Sequence, residues 1–161
     1  MSSDRIPRRM VLASLIGLAG CGFAPIYGSE DTLQGAVAFQ ATDSVAGFRL
    51  RSRLEDRLGR STAPRYLLTV DLSSSRRAAA ITADGDTSRI NIIGTANWVL
   101  TNVENGQRLD SGKTEAFTSF SATGSTIATQ STRDDAEARL AIILADMIVS
   151  RLLVLRPEQP A

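Results

Sequence analysis

From Arg65 to Ser74 apolar and polar residues alternate, with Tyr66, Leu68, Val70 and Leu72 on one side and Thr69, Asp71 and Ser73 on the other. Successive side chains of an extended chain point to opposite faces, so this stretch predicts a strand with one buried face. A second such segment, Ser88–Thr101, sets Ile90, Ile92, Trp98 and Leu100 against Asn91, Thr95, Asn97 and Thr101. Two one-sided strands need a covering layer over the apolar face and leave the polar face to water. Between them, Ala83-Asp84-Gly85-Asp86 is a turn signal. After the second comes Glu104-Asn105-Gly106-Gln107, whose Asn-Gly pair predicts a two-residue type I′ hairpin, because both central residues of that turn need positive φ. Arg108–Ser121 then closes a three-stranded antiparallel meander, with weaker alternation that leaves its register open.

The covering layer comes from the flanks. Gly35–Ala41 reads as a short first strand, and Ser44–Leu58 as an amphipathic helix capped by Asp43 or Ser44 and stopped at Gly59. Val45, Phe48, Leu54 and Leu58 are its expected inner face. Gly124–Gln130 is polar and loop-like; Thr132 then heads the longest helix, to about Leu155, with Asp134 and Asp135 in the first turn where the helix dipole favours acids. Leu140, Ile143, Leu144, Met147, Ile148, Leu152 and Leu155 form its stripe. Ile142, Val149 and Leu153 fall outside it, so this half is apolar around much of its circumference, as a helix that sits deep on a sheet or meets a partner. Asp146 and Arg151 interrupt the run and argue against a membrane span. The order β-α-β-β-β-α predicts an α+β fold: a two-layer sandwich, a four-stranded mixed sheet with two helices on one face. Trp98 is expected on the inward face beneath a helix.

Composition removes most chemistry. The chain has 161 residues, a formal charge of +1, no histidine and one cysteine. One domain is expected at this length, and no overall field recruits nucleic acid. An internal disulfide, a His/Cys metal site and a histidine-based triad are excluded. The acid pairs Glu30-Asp31, Glu55-Asp56 and Asp134-Asp135 read as solvated charges. Asp84-Gly85-Asp86 lacks the further acids of a calcium loop, no phosphate-cradling glycine motif opens a helix, and Ser73-Ser74-Ser75 has no histidine or lysine partner nearby. The chain is not expected to be an enzyme, to hold a metal or to need a cofactor.

The cysteine has a different use. Arg5, Arg8 and Arg9 precede the uncharged run Met10–Ala19, which is too short to span a bilayer but fits the apolar core of a secretory signal. The run ends in Leu18-Ala19-Gly20-Cys21, a bacterial lipobox: small residues fit the peptidase cleft, and the thiol receives a diacylglyceryl group. Cys21 is therefore expected to become the first mature residue, carrying covalent diacylglyceryl and N-acyl lipid, an effectively permanent membrane anchor. Gly22, in place of a retaining aspartate, directs it to the outer membrane on the periplasmic side. The mature chain would carry 15 basic and 16 acidic residues, close to neutral. The organisation is thus a signal peptide (1–20), an acylated segment (21–34), one α+β domain (35–156) and a tail (157–161).

Four basic residues are candidates for binding. Arg76 and Arg77, with Arg89, bracket the Ala83–Asp86 hairpin, and Lys113, the sole lysine, lies on the last strand. Arginine forks bind phosphates bidentately, so a lipid phosphate is a possible target, set against the plainer role of edge-strand charges that block aggregation.

The octet Cys21-Gly22-Phe23-Ala24-Pro25-Ile26-Tyr27-Gly28 resembles the opening of the LptE-type lipopolysaccharide-assembly lipoproteins, where C-G-F-x-P-[LI]-Y-G recurs. Length, element order and the long final helix agree with that family. The resemblance implies a non-enzymatic outer-membrane lipoprotein that plugs the β-barrel LptD, helps it assemble and contacts lipopolysaccharide. Family members use basic residues for that contact; here Arg76, Arg77, Arg89 and Lys113 are chosen by position. The alternative is a periplasm-facing accessory lipoprotein of another lipid-transport system.

Overall fold

The computed structural model of the protein describes residues 33–81, 87–123 and 125–155, without the side chains of residues 81 and 87. Cys21 and the opening octet lie outside the described residues, as does the turn Ala83–Asp86. The order is β1 (Val37–Ala41), α1 (Val45–Leu58), β2 (Tyr66–Ile81), β3 (Thr87–Asn102), β4 (Arg108–Ser121) and α2 (Thr126–Leu152). The strands form one sheet in the order β1-β2-β3-β4. β1 runs parallel to β2, with Val37 opposite Tyr66 and Ala41 opposite Val70; α1 supplies the crossover that a parallel neighbour requires. The remaining pairs are antiparallel. This is the expected α+β sandwich.

Alternation decides the faces. Leu68, Val70, Ile92, Ala96, Trp98 and Leu100 are buried on one face, beneath Leu50, Leu54 and Leu58 of α1 and Leu140, Leu144, Ile148 and Leu152 of α2. β4 is in register with β3, Gly112 opposite Trp98 and Phe120 opposite Ile90. Two glycines admit close approach. A Cβ at Gly94 would lie 2.8 Å from Leu140 Cδ2, and one at Gly112 would lie 2.8 Å from Trp98 Cζ2. The strand glycines thus let α2 and the Trp98 indole settle onto the sheet. The helices are tied to each other by Arg53, whose Nε donates to Asp146 Oδ1 at 3.0 Å and whose Nη2 donates to Oδ2 at 3.1 Å. That hydrogen bond holds the Arg53 guanidinium above its ordinary pKa, firmly charged.

Four expectations need correction. The inner face of α1 is Gly47, Leu50, Leu54 and Leu58; Val45 and Phe48 are 81% and 61% exposed. At about 100° per residue Val45 lies on the far side from Leu54, so those apolar residues never shared a stripe. α2 starts at Thr126, not Thr132, with Ser125 as its cap: Ser125 Oγ accepts from Ala128 N at 3.3 Å. Asp134 and Asp135 therefore sit inside the helix rather than in its first turn. The extra turns carry no apolar stripe and are held by local bonds, such as Gln130 Nε2 to Asp134 Oδ1 at 2.8 Å. Lower on α2, Ile143 and Met147 are about 40% exposed while Val149 is buried, so the buried stripe is rotated from the expected one.

The β3–β4 connection is not type I′. Among the described residues only glycines have positive φ; Gly106 does (+69°) and Asn105 does not. The loop instead wraps the Asn102 side chain, whose Oδ1 accepts from Glu104 N at 2.8 Å, and closes with Gly106 N donating to Asn102 O at 3.0 Å. An Asn side chain that mimics a backbone turn favours this longer loop over the two-residue hairpin.

Candidate functional site

The uncovered surface is the other face of the sheet. Reading across β2, β3 and β4, its rows are Asp71–Asn97–Lys113, Ser73–Thr95–Glu115, Ser75–Ile93–Phe117 and Arg77–Asn91–Ser119. It is mostly polar, as the alternation predicts, but Ile93 and the 67% exposed Phe117 face each other in the middle.

β2 and β3 run further than the sequence signals imply, and the far half of β2, Ser73–Ala80, is exposed throughout. Here the arginines stand. Arg77 and Arg89 share the open face near one another, because Arg77 pairs with Asn91 and Arg89 follows two residues along the same strand. Arg76, one residue out of phase, points to the helix side; its partner Ile92 belongs to the buried row. Lys113 shares the open face with Arg77 but lies three rows away, about 20 Å along the strands. The four candidates thus do not form one cluster.

Their electrostatics differ too. Lys113 Nζ pairs with Glu115 at 3.3 Å. Several arginines near the helices are engaged: Arg53 with Asp146, Arg60 with Glu55 at 2.7 Å, Arg133 with Glu137 at 3.1 Å. Among the described residues, Arg76, Arg77 and Arg89 make no ion pair. Exposed cations without an acidic partner are available to bind an anion, and paired Lys113 is less so.

A second feature carried no sequence signal apart from Gly94. Where β1 ends, a cleft of about 270 Å³ opens between the start of α1 and the middle of α2. Its floor is Leu72, Ser73, Ser74, Ile92 and Gly94, and Leu140, Ala141 and Leu144 form the α2 wall. Gly94 is what keeps that floor low.

No cluster of metal-ligating side chains occurs among the described residues, and no helix there is long and apolar enough to cross a membrane. Glu55 of the Glu55-Asp56 pair bridges Arg51 and Arg60 on the helix surface.

A family model described as LptE, lipopolysaccharide-assembly, matches residues 32–152. Among solved structures, the chain is similar to a protein described as a lipoprotein from Caulobacter crescentus, with TM-score 0.64 and 24% identity over 81% of this chain and 98% of that one. It is also similar to rare lipoprotein B from Shewanella oneidensis, with TM-score 0.57 and 14% identity over 72% of this chain and 92% of the other. A minor lipoprotein from Acinetobacter baumannii has TM-score 0.57 and 12% identity over 76% and 92% of the two chains. At these identities the likeness is one of fold. No curated protein matches the chain.

Proposed function

The chain belongs to the LptE lipopolysaccharide-assembly family, and from that membership we propose that it is an outer-membrane lipoprotein, anchored through acylated Cys21, that plugs the LptD barrel and contacts lipopolysaccharide in transit. A role in lipopolysaccharide assembly follows from the family; the barrel complex, the anchor and the contact residues are our reading. The observation that carries it is the pair Arg77 and Arg89, without an ion pair among the described residues and on an exposed sheet face. Lipid A phosphates are multiply charged anions with several acceptor oxygens, and the guanidinium fork matches them in shape and charge. The open face is polar enough to lie against a water-filled lumen, while the partly exposed Ile142, Ile143 and Met147 on α2 offer apolar contact to a barrel wall. The protein acts by binding and needs no cofactor beyond its covalent lipid.

Purification of the tagged, lipidated chain in mild detergent tests the first half of this reading: the barrel is expected to be retained. Binding of labelled lipopolysaccharide to the same chain tests the second. A chain that binds the lipid but retains components of another transporter instead of a barrel overturns the plug reading in favour of an accessory role.

A further inference from the structure

β2 is longer than the strand beside it. β1 ends at Ala41, opposite Val70, whereas β2 continues to Ile81. The hydrogen bonds show which groups face that side: Tyr66 N donates to Ala36 O, Val70 O accepts from Thr42 N, and Leu72 N donates to Thr42 Oγ1 at 2.8 Å. Residues of the same parity further along, Ser74, Arg76 and Ala78, therefore aim their N–H and C=O groups outward. Odd-numbered residues spend theirs on β3. The irregularity at Ala78–Ala80 ends this regular edge. Beyond Leu72 no strand covers it among the described residues.

A bare edge alone is ordinary. What distinguishes this one is the cleft, whose floor includes Ser74, the first bare residue of the edge, and which opens over the helix-facing side of the sheet where β1 ends. A chain laid on the edge would alternate its side chains between the two faces, sending every second one toward the helices and into the cleft. The walls there are apolar: Leu72, Ile92, Leu140, Ala141, Leu144. Glu137 on the rim is already paired with Arg133. Arg76, unpaired among the described residues, adds positive charge on the same side.

We propose that the free edge of β2 at Ser74–Ala78 is a strand-addition site. It takes an extended segment of the barrel partner carrying one bulky apolar residue for the cleft and an acidic residue for Arg76. This rests on the barrel reading above. The main chain supplies affinity, the cleft and Arg76 supply register and choice of partner. The edge would thereby cease to be an aggregation hazard once the complex forms.

The test is made in the full lipidated chain co-expressed with its barrel. Ser74→Pro removes one outward N–H while leaving the β3 ladder whole, and proline is tolerated on edges of this kind. Its complex yield is expected to fall by about tenfold, the loss of roughly one well-made interaction. Ser74→Ala, which keeps the N–H, is expected to hold the wild-type yield. Arg76→Glu is expected to lower it, with the denaturation midpoint of each variant unchanged. A photo-crosslinking residue at Ala78 is expected to join an acidic, extended segment of the barrel. Unchanged yield in Ser74→Pro overturns the site, as does a crosslink to a second copy of this chain or to its own residues 21–32. If the wild-type chain retains no barrel, the plug reading fails first and takes this proposal with it; that control separates the two failures.

Discussion

Trp98 sits 3% exposed on β3 with its six-membered ring over Gly112, and its Nε1 has no hydrogen-bond partner among the described residues. Those two facts predict losses of different size for two substitutions. Trp98→Ala empties the largest volume in the core and is expected to cost about 3–5 kcal/mol, read as a lower denaturation midpoint. Trp98→Phe removes an unsatisfied polar N–H along with part of the ring, so its cost should be well below that of the alanine change. Equal losses in the two variants would show that the orphaned N–H is no burden. At the same scale, Cys21→Ser is expected to leave unprocessed precursor, because the acyl acceptor is gone. Intact-mass measurement of the wild-type chain should show lipid on residue 21; an unlipidated mature protein starting elsewhere removes the anchor.

At the scale of elements, the two helices show how hydrophobicity misleads when phase is ignored. α1 has apolar residues on both sides, and only the line through Leu50, Leu54 and Leu58 faces the sheet. Leu54→Ala should therefore cost about 2–5 kcal/mol, whereas Phe48→Ala, at an exposed site beneath the Arg51 guanidinium, should stay within about 0.5 kcal/mol. Chemical denaturation of both variants decides it, and a large loss at Phe48 would mean another part of the protein covers that residue. α1 also has a working cap: Ser44 Oγ accepts from Gly47 N at 3.0 Å, so Ser44→Ala should cost about 1 kcal/mol. The start of α2 was hidden from periodicity because Thr126–Thr132 touch little and are held by a cap and local side-chain bonds. Apolar spacing reports burial, and an exposed helical turn has none.

For the whole molecule, the layers separate two kinds of surface. Arg53 is locked into an ion pair that ties the two helices together and Arg133 into one along α2, while Arg77 and Arg89 lie on the open face. Arg77→Glu with Arg89→Glu is thus expected to weaken lipopolysaccharide binding strongly, without lowering the denaturation midpoint or the yield of barrel complex. Wild-type binding should weaken as salt rises from about 0.05 to 0.5 M, since exposed charges are screened over about a Debye length. Salt-insensitive binding would place the contact elsewhere. Lys113→Ala should matter little, because its charge is already matched by Glu115.

The strands, their inward faces and the order of elements were legible in the sequence, because alternation over Tyr66–Leu72 and Ile90–Leu100 reflects a local rule of extended chains. Trp98 was placed correctly for the same reason. The family was also legible, since a string such as the opening octet is read by kinship as a linear pattern. The exposed half of β2 was not: Ser73-Ser74-Ser75-Arg76-Arg77 has no buried face to create a pattern, and its extended form comes from pairing with β3. Nor was the separation of Arg76 from Arg77 and Arg89, or the distance to Lys113, because these depend on register across three strands. The cleft depends on still more distant facts, where β1 happens to stop and how close Gly94 lets α2 approach. Such features arise where segments far apart in sequence meet, and only the tertiary structure sets those meetings.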